Sequence, residues 1–148
     1  MALFNWKYNG KSGNAGLANN EVQVAEGVIT SAQLLAIHTT PIALVAAPGA
    51  GKYISVDEIV MTMNFGTIQY TGSNAVEIRY TDGSGAKATG DAASAWLDLG
   101  STSAVKVIAA AVTPVANAAV VAAVPVANPA AGDGTVSYSV AYRIVTLP

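Results

Sequence analysis

The stretch GTVSYSVAYRIV, residues 134–145, decides the fold class because apolar and small or polar side chains alternate along its whole length. Its five largest apolar side chains share one parity and are Val136, Tyr138, Val140, Tyr142 and Ile144. Such a period of two is typical of a β-strand with one face in the core and the other toward solvent. We therefore predict a long strand here.

The same alternation recurs upstream. In KYISVDEIVMTMNF, residues 52–65, Ile54 and Val56 share one parity, whereas the apolar side chains from Ile59 onward follow the other. A parity switch at Asp57-Glu58 predicts a β-bulge. Shorter apolar or alternating runs predict further strands in residues 21–24, 41–47, 75–81, 103–112 and 116–126.

Only TSAQLLAIHTTP, residues 30–41, has helical character, with Thr30 or Ser31 as N-cap and Pro41 at its end. Many short strands, Gly-rich turns and one short helix predict an all-β fold, a single β-sandwich of jelly-roll type with about eight strands. Eight side chains are predicted to form its core: Val56, Ile59, Met61, Val76, Ile78, Val136, Val140 and Ile144.

The composition points to a component of an assembly. The 148 residues are 52% hydrophobic and only 11% charged, against about 25% charged in ordinary soluble domains, which indicates that some surface is covered by copies or partners. The net charge is −2 and the seven Lys and Arg residues are dispersed, so we expect no nucleic-acid partner. Residues 107–132 carry no charge, but three prolines interrupt them, so we expect no membrane span.

Residues 1–20 differ from the rest and are predicted to be an extended N-terminal arm before a sandwich domain of residues 21–148. Phe4, Trp6 and Tyr8 alternate with smaller or polar residues, and residues 9–20 are rich in Gly and Asn. A frayed terminus is the alternative. An arm that docks on a neighbouring subunit is favoured because three large rings would otherwise remain in solvent.

The sequence contains no recognisable catalytic motif. The stretch LVAAPGAGKYISV, residues 44–56, resembles a phosphate-binding loop, but Ala46 replaces its first Gly and Tyr53 its Ser or Thr, so we predict a hairpin turn. There is no Cys, and His38 is the only His. Catalytic residues, cofactors and a metal site are therefore not expected, although Asp82, Asp91, Asp98 and Asp133 leave calcium binding open.

Three stretches together resemble small structural proteins of tailed bacteriophages, above all the β-sandwich decoration, or cement, proteins of capsids: residues 29–66, 76–86 and 127–145. Their shared pattern is SAQLL with TTP, then PGAGK, then YTDG. The resemblance implies a trimeric jelly-roll-like knob on the outer surface of the virion capsid, bound to the major capsid protein, with no catalytic residues.

We expect two sets of residues to make contacts with other molecules. Phe4, Trp6 and Tyr8 are the candidates for capsid contact. The alanine- and valine-rich residues 107–126 are expected to pack the homotrimer, because small side chains let sheets approach closely, with Val107, Ala119, Val121 and Val124 as interface candidates. The alternative function is a tail-fibre or tail-associated module that binds a host receptor or glycan. Its loops would be expected to carry more aromatic anchors than the Gly, Ala, Asn and Asp found here.

Overall fold

The computed structural model describes residues 21–72 and 75–148, and the predicted arm lies outside the described residues. The described part of the chain contains seven strands and one short helix. In chain order they are β1 (Val22–Ile29), α1 (Ser31–Leu34), β2 (Ile42–Val45), β3 (Lys52–Asn64), β4 (Glu77–Tyr80), β5 (Ser103–Ile108), β6 (Val120–Ala123) and β7 (Thr135–Thr146).

The strands form two antiparallel sheets, a four-stranded sheet in the order β1-β7-β3-β5 and a three-stranded sheet in the order β2-β6-β4. Successive strands alternate between the sheets, so the chain winds around the sandwich as in a jelly roll. The missing eighth strand is replaced by an irregular stretch beside β4. There Tyr80 N–H donates to Ala86 O at 2.8 Å, and the N–H groups of Ala88 and Ala92 donate to Ile78 O and Val76 O. The predicted all-β jelly-roll sandwich is confirmed, with seven regular strands instead of about eight.

The core lies between the sheets and contains seven of the eight predicted core residues, all at most 4% exposed. Ile144 is only half-buried, as are Tyr138 and Tyr142 on the same face of β7. Their partners on β3 are at most 4% exposed. On the other side, Tyr138 and Tyr142 pair with half-buried residues of β1, and β1 does not extend as far as Ile144. The alternation in the sequence therefore identified the inward face of β7 correctly, but it did not show how completely each side chain on that face is buried.

The parity switch in β3 is a bulge, as predicted. The register with β7 shifts between Val56 and Glu58, which leaves Asp57 as the extra residue. The bulge lets both halves of a 13-residue strand direct apolar side chains inward. Asp57 is turned toward the solvent side, where its Oδ2 lies 3.0 Å from Arg143 Nε.

The connection at residues 46–51 is not the hairpin turn that the sequence predicts. β2 and β3 belong to different sheets, so this connection crosses from one sheet to the other. Gly49 and Gly51 adopt φ values of 96° and 70°, which favour glycine. Gly49 N–H donates to Asn117 Oδ1 at 3.0 Å, and Leu147 N–H donates to Gly51 O at 2.8 Å. Hydrogen bonds thus connect the Gly-rich run to the loop that contains Asn117 and to the chain that follows β7.

The helix begins at the predicted N-cap. The Thr30 hydroxyl accepts a hydrogen bond from Gln33 N–H, and the Gln33 side chain accepts one from Thr30 N–H at 2.9 Å, which forms a capping box. Only one helical turn is regular, against the two that the sequence allows. Irregular turns follow up to Thr40, and Leu34 and Ile37 from this segment are buried in the core.

Candidate interaction surface

The outer face of the four-stranded sheet carries five of the ten large hydrophobic side chains that are exposed in the described residues. The registers place one row of solvent-side residues on each of its strands. Val22, Val24 and Val28 on β1 are 54%, 60% and 59% exposed, and Ile108 on β5 is 64% exposed. Val60 on β3 lies between these rows and is 36% exposed. Exposed apolar side chains on one flat face are typical of an interaction site.

Two ion pairs join charged side chains of this face, and Glu26 on β1 accepts a hydrogen bond from the Ser139 hydroxyl at 3.3 Å. Lys106 Nζ lies 2.6 Å from Glu58 Oε2, across the β3–β5 pairing. Arg143 on β7 pairs with Asp57 at the bulge. Exposed pairs of this kind add little to stability, but they leave the face locally neutral. A partner would therefore meet valine, isoleucine, two ion pairs and the carboxylate of Glu26.

A shallow depression lies in the middle of this outer face. Its floor is formed by the short side chains of Ser137 and Ser139 on β7, while β1 and β3 contribute the taller neighbours Val28 and Val60. The cavity volume is about 460 Å³. Glu26 and Thr62 also line it, so the depression presents both apolar and polar groups to a partner.

The predicted contact residues fall differently in the structure. Phe4, Trp6 and Tyr8 lie outside the described residues. Val107, Val121 and Val124 are at most 5% exposed and belong to the folded chain itself, so their side chains offer almost no surface to another copy. Ala119 is half-buried just before β6. The homotrimer stays a prediction, and three of the four side chains chosen for its interface are interior ones.

Alanine- and valine-rich sequence does not distinguish a subunit interface from a core. All four residues of β6, the middle strand of its sheet, are buried, so both faces of this strand are covered within the chain. Conversely, the valines of β1 were not identified from the sequence as surface residues. Their alternation was visible in the sequence, but the parity that faces solvent is fixed only by the pairing with β7.

His38 has a structural role at the end of the helical segment. Its Nδ1 donates to Val124 O at 2.8 Å, and its backbone N–H donates to Asn128 Oδ1, also at 2.8 Å. These bonds attach the helical segment to the chain that follows β6. The imidazole therefore acts as a donor to the backbone through Nδ1.

The carboxylate of Asp133 connects the loop before β7 to the loop that contains Thr67 and Ile68. Its carboxylate accepts hydrogen bonds from the Thr67 hydroxyl at 2.7 Å and from the N–H groups of Thr67 and Ile68 at 2.8 and 2.9 Å. These bonds hold the pKa of Asp133 below its ordinary value. Asp133 thus bonds a loop about 65 residues away in the chain. Asp82, in contrast, makes a local turn in which its carboxylate accepts from Ser84 N–H at 2.8 Å.

The other carboxylates considered for calcium do not converge. Asp91 pairs with Lys87 at 2.7 Å, and Lys87 also contacts the buried Glu77, which pairs with Arg79. Within residues 21–72 and 75–148 no three metal-ligating side chains come together. No helix in this part of the chain is long and apolar enough to cross a membrane.

Two tyrosine hydroxyls bond to backbone carbonyls inside the sandwich. Tyr80 on β4 donates to Ile54 O on β3 at 2.7 Å and so joins the two sheets, and Tyr70 donates to Gly134 O at 2.8 Å. Burial, with a further contribution from the charge of Asp133, raises the pKa of Tyr70 to about 12. Burial likewise raises the pKa of Tyr80. Both phenols therefore stay protonated donors over the physiological range.

The fold is similar to one solved structure along its entire length. A chain of the structure described as the cyanophage Pam1 capsid asymmetric unit matches with a TM-score of 0.50 and 19% sequence identity, and the match covers 100% of both chains. At this identity the likeness establishes a common fold. No protein-family model matches the sequence, and no curated protein matches it.

Proposed function

We propose that this protein is a structural component of a tailed-bacteriophage virion, and more specifically a capsid decoration, or cement, protein. In this proposal it binds the lattice of the major capsid protein on the outer surface of the head and stabilises the shell against internal pressure. The observation that carries the proposal is the end-to-end likeness to a chain of a phage capsid asymmetric unit.

The extent of the match supports a decoration role. A protein of 148 residues covers all of the matched chain, so the likeness is to a whole small capsid component rather than to one domain of a larger shell subunit. The sequence resemblance to decoration proteins rests on different evidence, the pattern from residue 29 to residue 145. That pattern points to the decoration class, and the structural likeness to a chain of a phage capsid asymmetric unit is compatible with it.

The outer face of the four-stranded sheet is proposed as the side that meets the shell. The four strands contain 6 to 13 residues each. At about 3.3 Å per residue and about 4.8 Å between strands, they cover roughly 600 Å². A stable protein interface buries about 800 Å² on each partner, so the sheet alone is too small. The rings of Phe4, Trp6 and Tyr8 would each add about 150–250 Å², which brings the combined area into the required range. The arm and the sheet face are therefore proposed to bind together.

The proposal includes no enzymatic activity, cofactor, nucleic-acid partner or membrane. Its support is that the polar groups which could carry chemistry have structural partners: His38 bonds a carbonyl, and Asp133 bonds a loop. The homotrimer is proposed from the low charge content, with its contacts on surfaces other than the side chains of Val107, Val121 and Val124.

Cryo-electron microscopy of virions that carry this chain tests the proposal. Density for a jelly roll of this size on the outer surface of the head, at regular positions of the capsid lattice, is expected. Heads assembled without the protein are the control and should lack that density and lose their DNA at a lower temperature. Density confined to the tail would contradict the proposal and favour the receptor- or glycan-binding alternative.

A further inference from the structure

The free edge of β1 stands out among the features that the proposed function leaves unexplained. β1 pairs with β7 over all eight residues without a register shift, and within the described residues no strand pairs with its other side. It carries three exposed valines and only one charge, Glu26. Natural edge strands are usually protected by bulges, lysines, prolines or covering segments, because an open, flat, apolar edge invites strand addition. β1 has none of the first three protections.

The segment that precedes β1 has the composition of a covering strand. Twenty residues come before the described part of the chain, and β1 begins at Val22, directly after them. Residues 3–8 alternate Phe4, Trp6 and Tyr8 with Asn5 and Lys7. A strand of this length spans about 20 Å, which fits along the roughly 26 Å of β1. Aromatic and β-branched side chains are also favourable cross-strand neighbours.

The connection between the two segments favours a different copy of the chain over a hairpin. Hairpin loops usually contain 2–5 residues, whereas residues 9–20 provide twelve, of which seven are Gly or Asn. A flexible chain of this length has a typical span of about 17–21 Å and extends to about 40 Å. Such a connection is longer than a return onto its own β1 requires and long enough to reach an adjacent molecule.

We propose that residues 3–8 of one copy add as a fifth strand to the open edge of β1 of the next copy. Each molecule then gives one strand and receives one, a head-to-tail exchange that closes a ring of three. Phe4, Trp6 and Tyr8 lie beside Val22, Val24 and Val28 on the outer face, where they extend the apolar surface proposed to meet the shell. This inference rests on the proposed homotrimer and states which contact holds it together.

Cysteine cross-linking of the full-length protein tests the exchange, because the natural chain contains no Cys. Val24→Cys is combined in turn with Phe4→Cys, Asn5→Cys, Trp6→Cys and Lys7→Cys, and each double variant is oxidised at low concentration. We expect disulfide-linked dimers and trimers on a non-reducing gel, with a yield that alternates along residues 4–7. Val126→Cys, at a 67% exposed position outside the four-stranded sheet, replaces Val24→Cys as the control and should give at least fivefold less.

Three results would overturn the exchange. Cross-links found only within monomers would mean that each arm covers its own β1. Equal yields at Val24 and Val126 would mean random collision, and the absence of cross-links would mean that the arm does not reach the edge at all.

A second variant separates this inference from the proposed function. Val24→Lys puts a charge on the edge without touching the core, and light scattering should show the mass falling about threefold toward the 14.9 kDa monomer, while Val126→Lys stays trimeric. A Val24→Lys protein that remains trimeric would overturn the exchange and leave the capsid proposal standing. Cross-linked trimers that are absent from virion heads would contradict the capsid proposal and leave the exchange standing.

Discussion

The double substitution Val60→Thr with Ile108→Thr should weaken attachment to the capsid without affecting the fold. Both side chains lie on the outer face of the four-stranded sheet, 36% and 64% exposed, and threonine keeps the β-branch that suits a strand. Threonine retains part of the apolar surface, so the loss is that of about three methyl or methylene groups, scaled by the exposed fractions, or about 1–2 kcal/mol together. The dissociation constant for capsids that lack the protein should therefore rise roughly 5- to 30-fold.

Co-sedimentation of the purified variant with such capsids measures this change. Ile68→Thr with Val126→Thr is the matched control, since these residues are 54% and 67% exposed but lie in loops outside the sheet. The control variant should bind these capsids as tightly as the natural protein does. The melting temperatures of both double variants should lie within a few degrees of that of the natural protein. Equal binding by the two double variants would refute the assignment of this face to the capsid.

Three further perturbations test the account of the fold. Tyr80→Phe should lower the free energy of unfolding by about 1–2 kcal/mol in urea denaturation, because Ile54 O loses a buried donor; an unchanged value would mean that this bond between the sheets is not formed. Because the pKa of Asp133 is lowered, its contribution to stability is present above the ordinary carboxyl pKa and lost as the pH falls through the lowered one. The melting temperature of Asp133→Asn should thus lie below that of the natural protein at pH 7 and converge with it in acid, whereas a constant gap would contradict the loop bonds. Lys52→Ala should leave both the melting temperature and virion incorporation unchanged, and calorimetry should detect no ATP binding in either protein; ATP binding removed by this substitution would restore a phosphate-loop function.

The sequence predicted the parts of the fold that local patterns determine. Alternation located β7 and its buried face, the parity switch located the β3 bulge, and Thr30 located the helix start. Each of these features depends on residues within a few positions of one another. Strand pleating, bulge geometry and helix capping act over this short range and are sufficient to produce these features.

Features that depend on pairing between distant segments were not predictable. The Gly-rich turn before Lys52 looks like a hairpin, and only the assignment of its flanking strands to different sheets shows that it is a crossing. Likewise, the alanine- and valine-rich composition of β6 is compatible with a subunit interface, and only the structure shows that all four of its residues are buried within the chain. The outer valines of β1 illustrate the same limit, because a period of two does not say which parity faces the core.

The most direct test of the central claim is a cryo-electron microscopy reconstruction of the virion head at a resolution that separates β-strands. The account predicts trimers of this jelly roll on the outer surface of the shell, with the outer face of the four-stranded sheet, which includes Val60 and Ile108, turned toward the major capsid protein. A reconstruction in which that sheet faces solvent, or in which the protein is found only on the tail, would contradict it.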